Sequence, residues 1–241
     1  MIVLFTDFGL EGPYIGQVKA VLHAEAPAAE VIDLFSDAPA GNPRAGAYLL
    51  AAYAEWFPHG TTFLCVIDPG VGGVRAPLMI EADRRWYVGP ENGLFELVLR
   101  RARSAHCFEI TWHPPRLSAS FHGRDLFAPV AAMLAHGSRP SARSRDTIPH
   151  PDWPDDLAEI VYIDHYGNAM TGMRGETVAA TATLVCGGRT IAPARTFSSV
   201  PPGTALWYVN SNGLVEIAVN GGRADRLIGL AIGSKVELAT P

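Results

Sequence analysis

The chain has 241 residues, of which 48% are hydrophobic and 18% charged, and this is enough for one large globular domain or two modest ones. Its net charge of -5 argues against a protein that binds nucleic-acid phosphates, because such proteins usually carry a basic surplus. No apolar run approaches the roughly 18 residues that span a bilayer, which argues against a membrane protein. The three cysteines (Cys65, Cys107 and Cys186) lie far apart without Cys-x-x-Cys spacing, which predicts neither a disulfide framework nor a zinc knuckle and favours the reducing cytoplasm.

Strand and helix patterns alternate through the first part of the chain. Short apolar runs predict strands at 2–5, 31–34, 61–67, 78–81, 86–88 and 107–110. Apolar residues at helical spacing predict helices at 14–24, 43–56, 94–103 and 124–136. The first apolar run has no basic region before it, so we expect a strand there and not a signal peptide. This alternation predicts an α/β fold with a mostly parallel sheet covered on both faces.

The pattern changes after residue 137. Segment 138–157 predicts a linker or a domain-wrapping loop, because its polar residues are interrupted by prolines (Pro140, Pro149, Pro151 and Pro154). Short strand candidates then follow at 159–164, 181–186, 205–210, 214–219 and 234–239, with one helical turn at 224–229. We therefore predict an α/β domain over 1–143, a linker over 144–157 and a small all-β barrel domain over 158–241.

Asp7 is the first candidate site residue, because Thr6-Asp-Phe-Gly9 directly follows the first predicted strand. Ligands of open α/β sheets bind beyond the carboxyl ends of the strands, and a carboxylate there can accept two hydrogen bonds from a ribose diol. The alternative is a turn aspartate that caps the next helix, and the tetrapeptide alone favours that alternative.

Asp68, Arg75 and His122 form the second candidate group. Asp68 and Arg75 flank a glycine-rich turn after the third predicted strand, and His122 opens a predicted helix. A carboxylate, a guanidinium and an imidazole at the ends of elements can hold and polarise one water molecule without a metal. The alternatives are a structural Asp-Arg ion pair and a histidine that caps its helix. We expect the other seven histidines, His113 among them, at the surface, and no spacing suits a metal site.

The predicted second domain carries a third group. Asp164-His-Tyr-Gly-Asn168 follows a strand, and Asn-Gly pairs bracket the strand 214–219. Asn-Gly pairs are mainly signals of hairpin turns. The aromatic and amide side chains would also suit a purine base, through stacking and hydrogen bonds to its edge.

Taken together and in this order, the motifs resemble the S-adenosyl-L-methionine (SAM) hydroxide adenosyltransferases. These enzymes hydrolyse SAM and are related to the fluorinating and chlorinating enzymes that act on SAM. The resemblance covers nearly the whole chain and is carried by Thr6-Asp-Phe-Gly9 with Pro13-Tyr14, Val66-Ile-Asp-Pro-Gly-Val-Gly72, Val88-Gly-Pro-Glu-Asn-Gly93, Ser120-Phe-His-Gly-Arg-Asp-Leu-Phe-Ala-Pro129, Ile163-Asp-His-Tyr-Gly-Asn168, and Asn210-Ser-Asn-Gly213 through Asn220-Gly-Gly222.

The resemblance implies roles for residues of the first domain. Asp7 would hold the ribose hydroxyls, and Tyr14 would belong to the same substrate site. Asp68, Arg75 and His122 would match the family's water-positioning set. No metal or cofactor is implied, since SAM is the substrate.

The resemblance also implies roles in the second domain. Asp164 would bind the methionine amino group, and Ser211 its carboxylate. Asn168 and the backbone near Gly221 would meet the adenine edge, with Tyr166 packed nearby. Similar proteins are homotrimers whose SAM site lies between the first domain of one subunit and the barrel of its neighbour.

The chain departs from relatives at two positions. Gly41 stands where relatives often carry an aromatic ring, and Asn212 stands where halogenating relatives place an arginine. The intact Asp-Arg-His set and the absence of an inserted segment beside Asp68 favour water over halide as the nucleophile. The alternatives are a SAM-dependent halogenase, a SAM or adenosine sensor without catalysis, and a trimer that has lost activity.

Overall fold

The computed structural model describes residues 1–146, 150 and 152–239 of the chain. It divides into two compact units, Met1–His150 and Pro151–Pro241. The first unit is α/β and the second is built from antiparallel strands, so the predicted fold class is confirmed. Pro149 and Pro151 of the predicted linker lie outside the described residues. No helix in the described part of the chain is long and apolar enough to cross a membrane.

One mixed sheet runs through the described part of the first unit. Its strands are β1 (Ile2–Thr6), β2 (Val31–Phe35), β3 (Thr62–Val66), β4 (Pro77–Ala82), β5 (Arg85–Pro90), β6 (Ala105–Ile110) and β7 (Ala142–Ser144). They lie in the order β2-β1-β3-β5-β4-β6-β7. The pairs β1–β2, β1–β3 and β3–β5 are parallel, whereas β4, β6 and β7 pair antiparallel. Because Thr6 pairs with Val66, the residues that follow β1 and β3 leave the sheet at the same edge.

Four α-helices in the described part of the first unit cover the sheet. They are α1 (Tyr14–Glu25), α2 (Pro43–Ala54), α3 (Glu96–Arg101) and α4 (Ala128–Ala135). Asn42 caps α2, because its side-chain oxygen accepts the Ala45 N–H at 3.0 Å, and Pro43 occupies the first turn, where its missing N–H costs nothing.

The start of α4 differs from the predicted helix at 124–136. Gly123–Phe127 forms a π-helical turn, in which the Ala128 N–H bonds to the Gly123 carbonyl five residues back. Pro129 follows and has no N–H to bond four residues back. This explains why the backbone hydrogen bonds here span five residues and not four. The turn also brings the backbone of Gly123 against Phe8, since a Cβ on Gly123 would lie 2.7 Å from the Phe8 ring.

The core of the first unit lies between the sheet and its helices. Every residue of β1 and β3 is buried, and Leu4 and Leu64 belong to a cluster with Leu22 of α1 and Phe127 at the start of α4. Each fully buried side chain of this kind contributes about 1.5–3 kcal/mol relative to an exposed one. This packing makes the edge at which β1 and β3 end a rigid platform.

The prediction of a linker or loop over 138–157 is wrong at Ala142–Ser144, which form strand β7. Its side chains are exposed, so no hydrophobic pattern marks it, and it pairs with β6 at the edge of the sheet. Ion pairs stabilise this edge instead: Arg143 bonds Glu109 at 2.8 Å, and Arg145 bonds both Glu109 and Glu91.

The second unit is a small barrel. Its elements are β8 (Leu157–Ile163), β9 (Ala169–Arg174), β10 (Leu184–Cys186), β11 (Arg189–Ile191), β12 (Ala205–Val209), β13 (Leu214–Val219), α5 (Ala224–Ile228) and β14 (Val236–Leu238). In the described residues these strands form the sheets β12-β13-β9-β8 and β11-β10-β14. The bridges Glu159–Lys235 and Pro193–Trp207 join the two sheets on both sides and close the barrel.

The sequence patterns did not predict two strands of the barrel, β9 and β11. Strand β9 reads Ala-Met-Thr-Gly-Met-Arg, in which only Thr171 strongly prefers a strand, yet it is buried between β8 and β13. Strand β11 has only three residues and pairs with β10 as a short hairpin. In both cases pairing with neighbours decides the structure.

Candidate active site

Asp68 and Arg75 form an ion pair at the edge of the first unit's sheet. Asp68 lies two residues beyond β3, and the glycine-rich turn folds back so that Arg75 Nη2 bonds Asp68 Oδ1. The Asp68 side chain is 8% exposed and that of Arg75 is 31% exposed. Gly70 permits this approach, because a Cβ there would lie 2.9 Å from the guanidinium carbon of Arg75. Gly70 therefore leaves the room that the ion pair needs.

His122 faces the same space as this ion pair. It is half-buried and lies directly before the π-helical turn that leads into α4. Asp68, Arg75 and His122 all line one cavity of about 180 Å³, which is large enough for several water molecules. Residues far apart in sequence thus meet around one volume at the carboxyl ends of the parallel strands.

Other polar groups also face this cavity or lie beside it. Trp112 and His113 also line it, and His113 is exposed, as predicted, while it faces this cavity. Arg75 Nε is buried and has no hydrogen-bond partner in the described residues, which leaves the guanidinium with a spare donor. No local spacing connects residues 112–113 with Asp68. Their segments meet because β4, which follows Arg75, pairs with β6, which precedes Trp112.

Asp7 lies beside Asp68, as the parallel pairing of β1 and β3 requires. Burial raises the pKa of Asp7 and the nearby Asp68 charge raises it further, while a hydrogen bond from Gly41 opposes the shift. The Gly41 N–H donates to Asp7 Oδ2 at 2.8 Å, from a backbone φ of +62° that suits glycine. Gly41 therefore has a definite contact with Asp7, although it offers no ring.

Tyr14 belongs to an aromatic cluster beside His122. Its ring meets that of Phe121 edge-to-face at 5.3 Å between centroids, and Phe8 lies 5.6 Å from Phe121. Tyr14 itself is 50% exposed, so one face of this cluster is open to a ligand. Planar aromatic surfaces of this kind suit a sugar ring or a base.

The segment that carries His122 is fixed by a second ion pair. Arg124 binds Asp125 through two nitrogens, at 2.6 and 3.0 Å, and reaches Gln17 of α1 at 2.6 Å. Asp125 also accepts the Ser118 N–H at 2.8 Å. The Arg124 guanidinium lowers the pKa of Asp125, and the charge of His122 adds a smaller lowering. A permanent negative charge therefore lies close to the imidazole.

The candidates of the second unit lie in turns of its four-stranded sheet. Asp164 closes the β8–β9 hairpin: its oxygens accept the Asn168 N–H at 2.8 Å and the Asn168 side-chain N–H at 3.0 Å. Gly221 follows β13 in the left-handed region, with φ +68°. The adjoining Arg223 donates to the His165 carbonyl at 2.7 Å, which ties this loop to the hairpin.

Ser211 lies in another turn of the same sheet, between β12 and β13. It is exposed, and the turn is held by Asn210, whose side-chain oxygen accepts the N–H groups of Asn212 and Leu214 at 3.0 Å. Tyr166 is 73% exposed and contacts His165, with 5.5 Å between ring centroids. The structure thus joins Asp164 to Asn168 directly, while Ser211 and Tyr166 project from the turns.

Glu216 is a charged residue of this unit that motif analysis missed. It is 3% exposed in the middle of β13, where its neighbours in sequence are apolar. A carboxylate inside an otherwise apolar strand was the available signal, because burying a charge is costly unless it is bonded.

The described residues contain no group of three histidines, cysteines or carboxylates able to hold a metal ion. The three cysteines are free and buried. The chemistry that these side chains offer is hydrogen bonding and charge: a fixed carboxylate, a guanidinium and an imidazole around a cavity that can hold several water molecules, with a second carboxylate beside them.

Fold and cavity together define a two-domain protein whose cavity, with charged groups in a largely apolar lining, lies at the carboxyl ends of parallel strands, the place where α/β proteins bind ligands. Residues 2–143 match the family model of the SAM hydroxide adenosyltransferase N-terminal domain, and residues 158–237 match that of the C-terminal domain. The chain belongs to the SAM hydroxide adenosyltransferase family.

Relatives extend over the whole chain. A protein of Thermus thermophilus, named (R)-S-adenosyl-L-methionine hydrolase, is 38% identical over 98% of both chains. A protein of Salinispora arenicola with the same name is 36% identical over 97% of this chain and 95% of its own length. Among solved structures, an uncharacterized conserved protein of Thermotoga maritima superimposes with a TM-score of 0.88 at 29% identity, covering 100% of both chains.

Proposed function

We propose that this protein hydrolyses SAM to adenosine and L-methionine. Family membership over both domains and full-length relatives named as SAM hydrolases support the reaction. The observation that carries the proposal is the cavity at which Asp68, Arg75 and His122 meet, next to Asp7.

The reaction is a substitution at a carbon atom. The oxygen of water attacks C5′ of the ribose, the C5′–S bond breaks, and its electron pair neutralises the sulfonium as methionine leaves. Water loses one proton, so SAM and water give adenosine, methionine and H⁺. Since the bulk pKa of water is about 15.7, water is a poor nucleophile, and its position must supply much of the rate.

Asp68 and His122 are the proposed hydrogen-bond acceptors for the attacking water. Arg75 holds one oxygen of Asp68 and fixes the orientation of that carboxylate. Its positive charge also favours hydroxide character in the nucleophile. The half-closed cavity strengthens these interactions, because electrostatic effects grow as bulk water is excluded.

Asp7 is proposed to hold the ribose hydroxyls, with the ring of Tyr14 beside the sugar. Asp7 needs its charged form to accept two hydrogen bonds, and the Gly41 N–H favours that form. Since Arg75 balances the charge of Asp68, the ionised Asp7 leaves one net negative charge among these three groups, which suits a sulfonium cation.

The second unit is proposed to bind the other ends of the substrate. Asp164 would bind the methionine ammonium and Ser211 the carboxylate. Asn168 and the backbone at Gly221 would meet the adenine edge, with Tyr166 beside it. We propose a homotrimer in the cytoplasm, with each site formed by the first unit of one subunit and the second unit of its neighbour. The presence of ligand-type residues in both units supports this arrangement.

The names of the relatives specify the (R) epimer at sulfur, and we extend that preference to this chain. Inversion at sulfur exchanges the places of the methyl group and the methionine chain, so one fixed site for C5′ and the amino acid accepts only one epimer well. Separate incubations with the two epimers, followed by chromatography of adenosine, test this. Faster consumption of the (S) epimer would refute the preference.

The activity is tested by incubating the purified protein with SAM and separating the nucleosides by chromatography. We expect adenosine and methionine in equal amounts. Parallel reactions with chloride or fluoride distinguish a halogenase, which would form 5′-halo-adenosine. Stoichiometric retention of SAM without product over hours would instead identify a sensor and refute the proposed hydrolysis.

A further inference from the structure

Glu216 occupies a position that needs an explanation. All six residues of β13 are buried, and Glu216 is the charged one among them. Burying a carboxylate without partners is costly, so its hydrogen bonds determine whether it can stay there. Burial raises the pKa of Glu216, and its two hydrogen-bond donors oppose that shift.

The partners of Glu216 come from β12 and the turn after it. Tyr208 lies directly across from Glu216 in the β12–β13 pair, and its hydroxyl donates to Glu216 Oε1. Asn210 donates its side-chain N–H to Glu216 Oε2 at 2.8 Å. Each carboxylate oxygen is therefore bonded to a different residue.

The bond to Asn210 fixes the orientation of that side chain. The other end of the carboxamide, Asn210 Oδ1, accepts the N–H groups of Asn212 and Leu214 at 3.0 Å. Asn210 cannot turn over without losing these bonds and placing its oxygen against Glu216. The carboxylate thus locks the turn in which Ser211 stands.

Glu216 also bears on the other turn of the sheet. The charge of Asp164 contributes to raising the pKa of Glu216, which means that the two carboxylates lie within electrostatic reach. Asp164 is in turn bonded twice to Asn168. Glu216 is therefore bonded to Asn210 of the Ser211 turn, and its charge lies near enough to that of Asp164 for the two to repel.

We propose that Glu216 is a positioning residue for the amino-acid end of the substrate. It sets the Asn210–Gly213 turn so that Ser211 meets the methionine carboxylate, and it adds negative charge near the ammonium bound by Asp164. This inference rests on the proposed function, and it assigns recognition of the methionine part, not the water step, to Glu216.

The test is the substitution Glu216→Gln. The glutamine oxygen still accepts the Tyr208 hydroxyl, but its NH₂ group faces the Asn210 NH₂ group, so one hydrogen bond to a charged acceptor is lost. We expect KM for SAM to rise about tenfold, while kcat stays within about threefold of wild type. Binding of adenosine, which lacks the amino acid, should be unchanged by calorimetry.

The reversed pair Asn210→Asp with Glu216→Gln provides a rescue. The glutamine NH₂ group then donates to one oxygen of the carboxylate introduced by Asn210→Asp, while the other oxygen keeps the turn bonds. KM should therefore return to within about threefold of wild type. Glu237→Gln makes the same chemical change at an exposed residue of β14 and should alter nothing. If Glu216→Gln does not accumulate as folded protein, the reversed pair carries the test alone.

Equal losses of SAM and adenosine binding, or no recovery in the reversed pair, would overturn the inference. An unchanged KM in Glu216→Gln would do the same. If wild-type protein forms no adenosine, the proposed hydrolysis fails instead. Calorimetric titration of SAM into wild type and Glu216→Gln then still measures the role of Glu216 in binding.

Discussion

The Asp68–Arg75 pair is better explained by orientation than by stability. The guanidinium is about one-third exposed, and ion pairs near solvent typically contribute only about 0–1 kcal/mol. The turn nevertheless places Gly70 against the guanidinium and leaves Arg75 Nε buried without a partner in the described residues. Such an arrangement costs stability and holds one carboxylate in one direction, which is what a water-positioning group needs.

Replacing Asp68 by Asn should separate chemistry from folding. The amide keeps the size of the side chain but loses the negative charge that attracts the water protons. We expect kcat for adenosine formation to fall by about 10²–10⁴-fold, with the melting temperature nearly unchanged. The matched control is Asp33→Asn, which removes an exposed carboxylate of β2 that is bonded to Lys19 of α1 and should leave kcat within twofold. Full activity in Asp68→Asn would remove Asp68 from the mechanism.

Gly70→Ala tests the ion pair through the backbone. The added Cβ would meet the guanidinium of Arg75, which must then move away from Asp68. Because the clash is with the end of a flexible side chain, we expect little loss of stability but a fall in kcat of about 10–100-fold. Gly16→Ala is the control, since its Cβ on α1 would meet nothing within 4 Å. Equal kcat values for the two variants would show that the position of Arg75 does not matter.

At the scale of elements, the site depends on how the end of β3 is held. Asn92 donates its side-chain N–H to the Ile67 carbonyl at 2.7 Å and accepts the Leu94 N–H at 3.3 Å. It thereby ties the residue before Asp68 to the segment that leads into α3. Both bonds are partly buried, so they are not readily replaced by water.

Asn92→Ala should therefore destabilise the protein by about 1–3 kcal/mol, because it leaves a carbonyl and an N–H unsatisfied. Asn92→Asp keeps the acceptor for Leu94 but turns a carboxylate oxygen toward the Ile67 carbonyl, so we expect a loss at least as large. Urea unfolding of the three proteins measures the order. Equal midpoints for wild type and Asn92→Ala would mean that the tie is energetically unimportant.

The sequence predicted those helices and strands whose own residues form a regular apolar pattern. The buried strands β1 and β3 and helices α1 and α2 appear within a few residues of their predicted limits. Strand β7 was missed because ion pairs stabilise it, and β9 because its residues become a strand only between two partners. Neither cause is visible in local periodicity.

The candidate site was predictable to a similar degree. Parallel strands end at one edge, so the closeness of Asp7 and Asp68 follows from the pattern. The Gly41 contact with Asp7 and the Asn210 contact with Glu216 depend on how separate segments pack. The sequence showed only that Gly41 lacks the aromatic ring of relatives. Its backbone N–H donates to Asp7, and such a backbone contact cannot be predicted from the residue type.

At the scale of the whole molecule, order along the chain carried the family prediction, which the matching of both domain models confirms. Each motif alone could be explained by local structure, such as a turn or a helix cap. Their order over nearly the whole chain could not be explained in that way. Roles of individual residues and the trimer stay predictions, because they concern a ligand and neighbours that one chain does not contain.

The proposed shared site predicts complementation between inactive subunits. Asp68→Ala disables the first unit and Asp164→Ala the second, so each variant alone should be inactive. Co-expressed in one trimer, they should restore about a quarter of the wild-type activity, because some interfaces combine two intact units. Light scattering should give three times the mass of one chain. A co-expressed trimer with no activity would contradict a site shared between subunits.

The central claim is that a water molecule attacks C5′ of the bound sulfonium nucleoside, and turnover in H₂¹⁸O tests it most directly. The products are separated, and their masses are measured by mass spectrometry. We predict one ¹⁸O atom in the 5′-hydroxyl of adenosine and none in methionine. Adenosine without the label, or label in methionine, would contradict the account.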